Sequence, residues 1–143
     1  MPIIKKNTVV PHSAEQMFQL VNAIEDYPKF IPWCVGSEVL SRNQDEIQAT
    51  LNFAKGGLEK SFTTRNLLQL NKMVEIRLVN GPFRHLEGFW RFDDLENGQC
   101  QIMLDLEFEF SNPLLAFAFG PVFTKVANTL VEAFQQRAKE VYG

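Results

Sequence analysis

The chain has 143 residues and a mass of 16.4 kDa, is 45% hydrophobic and 22% charged, and carries 14 basic against 17 acidic side chains for a formal charge of −3. That length suits one domain, residues 1–143, with a core that needs no disulfide or metal staple, and its 13 phenylalanines exclude intrinsic disorder, which goes with few aromatics and high charge. No apolar run reaches the roughly 18 residues of a membrane span, and Met1 to Lys6 lacks the ordered regions of a secretory signal, so a cytoplasmic protein without a transmembrane segment is expected.

Ile3 to Val10 reads as a strand ended by Pro11. Ser13-Ala14-Glu15-Gln16 then supplies a capping box, and Met17, Leu20, Val21 and Ile24 keep the spacing of an amphipathic helix ending near Glu25. His12, outside that cap, is expected at the surface. Asp26 to Cys34 holds two prolines and three aromatics, which excludes a long helix. A short helical turn followed by extended chain fits. Phe30 and Trp33 in it suit either an aromatic plug on the core or a lip beside a ligand entrance.

From Val35 to Phe110 the apolar period changes from 3.6 to 2. Ile47, Ala49, Leu51 and Phe53 form one face before Lys55-Gly56-Gly57. Val74, Ile76 and Leu78 form another, and Leu86, Gly88, Trp90 and Phe92 a third. The last strand is the clearest, with Cys100, Ile102, Leu104, Leu106, Phe108 and Phe110 on one side. Such alternation belongs to an antiparallel meander with one wet face. Asn97-Gly98 marks the final hairpin, and pairing Trp90 with Ile102 would set Arg91 opposite Gln101 and Glu87 opposite Asp105.

The strand from Leu58 to Leu70 is less regular. Lys60, Thr64 and Asn66 share parity with Leu58, Phe62 and Leu68. Facing inward, each would cost about 1–3 kcal/mol unless it found water, a neighbour or a ligand. A bulge near Lys72, or a place at the edge of the core, would relieve them instead.

After Ser111-Asn112-Pro113 comes a short helical piece to Phe119, and Gly120-Pro121 opens a long helix to Tyr142, proline being tolerated in a first turn. Phe123, Ala127, Leu130, Phe134, Ala138 and Val141 make its apolar stripe. The whole is an α+β domain, a curved seven-stranded antiparallel sheet around a long C-terminal helix. The space between sheet and helix would be either a packed core or a cavity.

Several segments carry a resemblance: Tyr27 to Cys34, Phe62 to Asn66, Gly81-Pro82-Phe83 with Gly88 to Phe92, Phe119 to Phe123, and Arg137 to Tyr142. Together they resemble the helix-grip, START-like superfamily, and within it the polyketide cyclase/dehydrase and coenzyme Q-binding family with its bacterial ribosome association toxin branch. The resemblance implies the helix-grip fold and a cavity for a hydrophobic small molecule. Mitochondrial relatives bind ubiquinone and support respiration, whereas the toxins bind the 50S subunit and block 70S formation. Ubiquinone or another isoprenoid lipid is thus the implied ligand, with no cofactor otherwise and no DNA partner. Its walls would be Leu51, Phe53, Phe62, Trp90, Leu104, Phe117, Phe123, Leu130 and Phe134, with Lys60, Thr64 and Asn66 available to a polar head.

Catalysis is not expected, because the inward faces of the last three strands hold no His, Asp or Glu to serve as acid or base. Nor is a metal site. Cys34 and Cys100 are unpaired in sequence and read as buried thiols, only His12 and His85 could join them, and Asp105, Glu107 and Glu109 stand about 7 Å apart along a strand. Charge is uneven: Lys55 to Arg91 holds seven basic and three acidic residues, while Asp93 to Glu109 holds six acidic and no basic ones. That asymmetry suits orientation on a partner, or is simply a scatter of hairpin charges.

Overall fold

A computed structural model describes residues 2–143. Strands β1 (Ile3–Val10), β2 (Cys34–Arg42), β3 (Glu46–Lys55), β4 (Leu58–Gln69), β5 (Met73–Asn80), β6 (Phe83–Asp94) and β7 (Cys100–Phe110) form one antiparallel sheet in the order β1-β7-β6-β5-β4-β3-β2. β2 to β7 are a meander, each strand beside the next. The chain enters on β1, which pairs with β7 from Ile3 opposite Glu107 to Val10 opposite Cys100. Burial alternates along β7 without a break, so one face of the sheet is core and the other meets water.

Two helices cover the core face: α1 (Ala14–Asn22), followed by a 3-10 segment over Ile24–Lys29, and α2 (Pro113–Tyr142). The capping box forms as expected. Ser13 Oγ accepts from the Gln16 amide at 3.1 Å, and Gln16 Oε1 accepts from the Ser13 amide at 2.9 Å. Asp94 adds a second anchor by accepting from the Ala14 amide at 2.9 Å, which ties the start of α1 to the β6–β7 hairpin.

Four expectations are corrected. α2 is one 30-residue helix capped by Asn112, whose Oδ1 accepts from the Leu115 amide at 2.9 Å, and Pro121 lies inside it. Proline removes the bond to the carbonyl four residues back. Here that residue is Phe117, on the exposed side with Pro121, where water can take the carbonyl. The β6–β7 register is two residues off: Trp90 faces Leu104, Arg91 faces Met103 and Glu87 faces Glu107. A slip of two keeps every side chain on its face, so alternation alone could not exclude it.

His12 is buried rather than at the surface, with 6% of its area exposed and its ring 5.7 Å from that of Tyr142. The last turn of α2 covers it, a contact between residues 130 positions apart. The irregularity of β4 is a bulge at Thr63–Thr64 against β5, not near Lys72.

The phenylalanines divide between two uses. Ten are buried, and Phe83, Phe108, Phe110, Phe119 and Phe123 interlock edge-to-face and stacked, with ring centroids 4.8 to 6.4 Å apart. This end of the space under α2 is solid core. Its length and an 18-residue window of mean hydropathy 1.5 would let α2 cross a membrane. Burial of Phe119, Phe123, Val126, Ala127, Val131, Phe134 and Ala138 within the domain instead makes it the core helix.

Candidate functional site: an apolar cavity under the long helix

Beyond the phenylalanine cluster, sheet and helix separate around an internal cavity of about 90 Å³. β3 and β4 supply Leu51, Phe53, Phe62, Thr64 and Asn66; β5, β6 and β7 supply Ile76, Leu86, Trp90 and Leu106. Phe123, Val126, Ala127, Leu130 and Phe134 of α2 form the roof, and Val21, Tyr27 and Ile31 close one side. The volume is well below the ~300 Å³ of ordinary small-molecule sites and the ~150 Å³ that accommodates benzene. A long ligand therefore enters only if α2 or the 3-10 segment moves outward.

Nine of the fourteen residues expected at the site line this space: Leu51, Phe53, Phe62, Thr64, Asn66, Trp90, Phe123, Leu130 and Phe134. The other five lie elsewhere. Leu104 is buried in the core beside the lining, where Leu106 takes the position expected for it. Phe117 is 83% exposed, because the helix that contains it begins at Pro113 and turns it away from Phe119 and Phe123. Lys60 sits half-buried in a separate surface cleft with Glu38, Asn52 and Glu59.

Phe30 and Trp33 stand outside the lining. Phe30 packs edge-on against Phe134, 5.1 Å between centroids, with the Arg137 guanidinium 5.3 Å from its ring. Trp33 has a left-handed backbone, φ 62°, and carries the Lys55 ammonium 4.1 Å from its ring centroid. The lining residues not foreseen are Val21, Tyr27, Ile31, Ile76, Leu86, Leu106, Val126 and Ala127. Inward parity signalled Ile76, Leu86 and Leu106, and helical spacing signalled Val21 and Ala127. Tyr27 and Ile31 lie in irregular chain, where no period applies.

The cavity's polar groups are few. Tyr27 donates its hydroxyl hydrogen to the Val21 carbonyl, and burial pushes its ionisation above the ordinary range. Thr64 Oγ1 donates to Asn66 Oδ1 at 3.0 Å. Among the described residues no Asp, Glu, His, Lys or Arg lines the wall.

Two other surfaces gather polar groups. A solvent-open trough of about 810 Å³ runs beside the start of α2 between Arg84, Phe110, Ala116 and Lys125. On the outer sheet face His85, Glu87 and Glu107 bring potential metal-ligand atoms within 4.8 Å of one another, a convergence that parity along β6 alone did not reveal. Arg77 holds Glu87 at 3.2 Å there. The arginines of the basic segment are paired in space: Arg65 with Glu46, Arg77 with Glu75 and Glu87, Arg84 with Glu109, and Arg91 with Asp93.

The profile of the polyketide cyclase/dehydrase and lipid transport family matches residues 10–135. The chain belongs to this family. Among its relatives, the ribosome association toxin RatA of Escherichia coli strain K12 is 46% identical over 142 residues, covering 99% of this chain and 90% of RatA. The mitochondrial coenzyme Q-binding protein COQ10 of Dictyostelium discoideum is 25% identical over 92% of this chain and 66% of its own length. Two solved structures share the fold. A START superfamily protein from Mycobacterium smegmatis superposes with a TM-score of 0.80 at 21% identity, over 97% of this chain and 98% of its own. The Zhui aromatase/cyclase from Streptomyces superposes with a TM-score of 0.84 at 18% identity, over 96% and 93%. The family's fold is thus the START-like one, and the cavity of this polyketide cyclase/dehydrase-family chain lies between its sheet and its long helix.

Proposed function

We propose that this chain is a non-enzymatic, cytoplasmic START-like protein of the ribosome association toxin group, which binds the 50S subunit, blocks 70S formation, and holds a hydrophobic small molecule under α2. The observation that carries the ribosomal part is the identity to RatA along nearly the whole of both chains. The fold by itself hosts cyclases as well and decides nothing about activity. The absence of catalysis is supported by the cavity wall, whose polar side-chain atoms belong to Tyr27, Thr64, Asn66 and the Trp90 indole, none of which titrates near neutral pH to move a proton.

Overexpression followed by sucrose-gradient sedimentation tests the ribosomal part. The expected profile shows 70S particles falling, free subunits accumulating, and the protein migrating with 50S. A protein that stays at the top of an unchanged gradient would overturn it. Native mass spectrometry of protein purified from its own host tests the ligand part: a co-purifying isoprenoid or other lipid is expected, as is a rise in Tm with a short-tail quinone.

The apolar cavity and the similarity to COQ10 favour a second reading, a quinone-binding protein that supports respiration with no ribosomal role. Under it, deletion lowers oxygen consumption and overexpression leaves the gradient unchanged. Turnover of a polyketide-like substrate would favour a cyclase over both.

A further inference from the structure

We propose that His85, Glu87 and Glu107 form a binding site for a divalent transition ion of the zinc kind, on the outer face of the sheet across β6 and β7. The site lies on the opposite side of the sheet from the cavity and stands independently of the function proposed above. His85 and Glu87 are successive outward residues of β6, and Glu107 lies directly opposite Glu87 on β7. Same-face neighbours along one strand are about 7 Å apart, too far for one ion to be gripped by successive carboxylates, whereas directly opposed residues bring their Cβ atoms to about 5 Å. His85 Nε2 stands 3.6 Å from Glu87 Oε1 and 4.0 Å from Glu107 Oε1, and the three residues each offer a donor atom within 4.8 Å of the other two. Donors at the ~2.1 Å bond length of zinc stand about 3.4 Å apart in a tetrahedron. Closure therefore asks for roughly an ångström of movement, which rotation of two glutamate side chains on a rigid sheet supplies.

Two glutamates opposed on neighbouring strands repel each other and weaken the sheet, so a cation between them is favoured. Arg77 answers only one of them. Its Nη1 donates to Glu87 Oε2 at 3.2 Å while its Nη2 is held by Glu75 at 3.0 Å. That contact leaves Glu87 Oε1, the oxygen facing His85, for an ion. Among the described residues no Lys or Arg comes within 4.0 Å of Glu107, whose ionisable partner is His85. The next carboxylate on β7, Glu109, is already taken by Arg84 at 3.1 Å. One imidazole nitrogen with two carboxylate oxygens suits zinc and its neighbours in the transition series, while magnesium and calcium prefer shells of oxygen alone. The three side chains are partly exposed, so water completes the shell and one position stays open to a donor from another molecule.

The test adds Zn²⁺ to the full chain, freed of metal with a chelator, and follows the histidine ring signals by NMR. The chain has two histidines, and His12, buried against Tyr142, serves as the internal control. The His85 signals should change saturably at one ion per chain while those of His12 stay, and Mg²⁺ at the same concentration should move neither. By titration calorimetry, His85→Gln and Glu107→Gln should each weaken zinc binding at least about tenfold, since even partners outside the ligand set are worth that much at metal sites. Asp105→Asn removes the same charge from the preceding outward position of β7, and should weaken it far less. The wild-type spectrum stands as a readout even if a variant fails to fold.

Zinc binding that leaves the His85 signals unmoved overturns the site. Equal losses in Glu107→Gln and Asp105→Asn overturn it as well, by reducing it to a diffuse attraction of the acidic face. Magnesium bound as tightly as zinc overturns the class of ion assigned. No saturable change at His85 up to millimolar zinc overturns the proposal as a whole.

Discussion

Gly88 of β6 and Asp105 of β7 meet so closely that a Cβ on the glycine would stand 2.0 Å from the Asp105 carbonyl oxygen and 2.9 Å from Leu106 Cα. Both neighbours are backbone and cannot rotate away. A glycine at this point lets two adjacent strands close up, one device by which a sheet bends, and Leu86 and Trp90 on either side of it line the cavity. Gly88→Ala should therefore destabilise the protein by about 3 kcal/mol, the upper part of the range for overpacking. Urea denaturation checks this, and a midpoint equal to wild type would show that the strands are not held in this contact.

Phe117 and Phe123 lie six residues apart on the same helix and should respond oppositely to truncation. Phe123 is 4% exposed and touches the rings of Phe62, Phe83, Phe108, Phe110 and Phe119. Phe123→Ala is expected to cost about 3–5 kcal/mol. Phe117→Ala, at an 83% exposed position, should stay within about 0.5 kcal/mol. Thermal unfolding of the two variants side by side reads the difference, and equal losses would place Phe117 in the core after all.

How far the fold could be read from the chain follows from the range of each signal. β7 announces its buried face at every second residue, and Ser13 with Gln16 announces the start of α1, because both effects are local. Inward parity also pointed to Thr64 and Asn66, the polar pair in the cavity wall. What a period of 2 does not carry is the absolute pairing of two strands, so Leu104 was expected where Leu106 lies. Proline at position 121 was ambiguous for a similar reason. Its local chemistry suits a helix start, and only the outward orientation of Phe117 and Pro121 lets it sit inside one. His12 depends wholly on the far end of α2, and nothing near it in sequence signals the contact.

Cys34 and Cys100 are both buried and free, and burial pushes each thiol up to about 11. The thiolate, which is the reactive form, is therefore scarce at neutral pH. In native protein at pH 8 neither should react with a disulfide reagent such as DTNB on the minute scale. Both should react at once in 6 M guanidinium chloride. Fast native labelling of either would mean that the region around it opens readily.

Arg42 clamps the end of α1 from β2, with Nη1 and Nη2 on the Glu25 carboxylate at 2.5 and 2.8 Å and Nη2 also donating to the Asn22 carbonyl at 2.9 Å. The hydrogen bond from Arg42 lowers the Glu25 carboxyl from 4.5 to about 2. Because the folded value lies below the unfolded one, the carboxylate's contribution is complete above pH 4.5 and is lost as pH falls toward 2. Both side chains are about half exposed, so water and salt screen the pair and its contribution should not exceed about 1 kcal/mol. Arg42→Ala should lower stability at pH 6 by about that much, together with the loss of the Asn22 contact, and should narrow the gap between variant and wild type at pH 3. Urea midpoints at the two pH values test the sign. A gap that stays the same on acidification would mean that Arg42 acts through the Asn22 carbonyl and its own packing, with Glu25 contributing nothing.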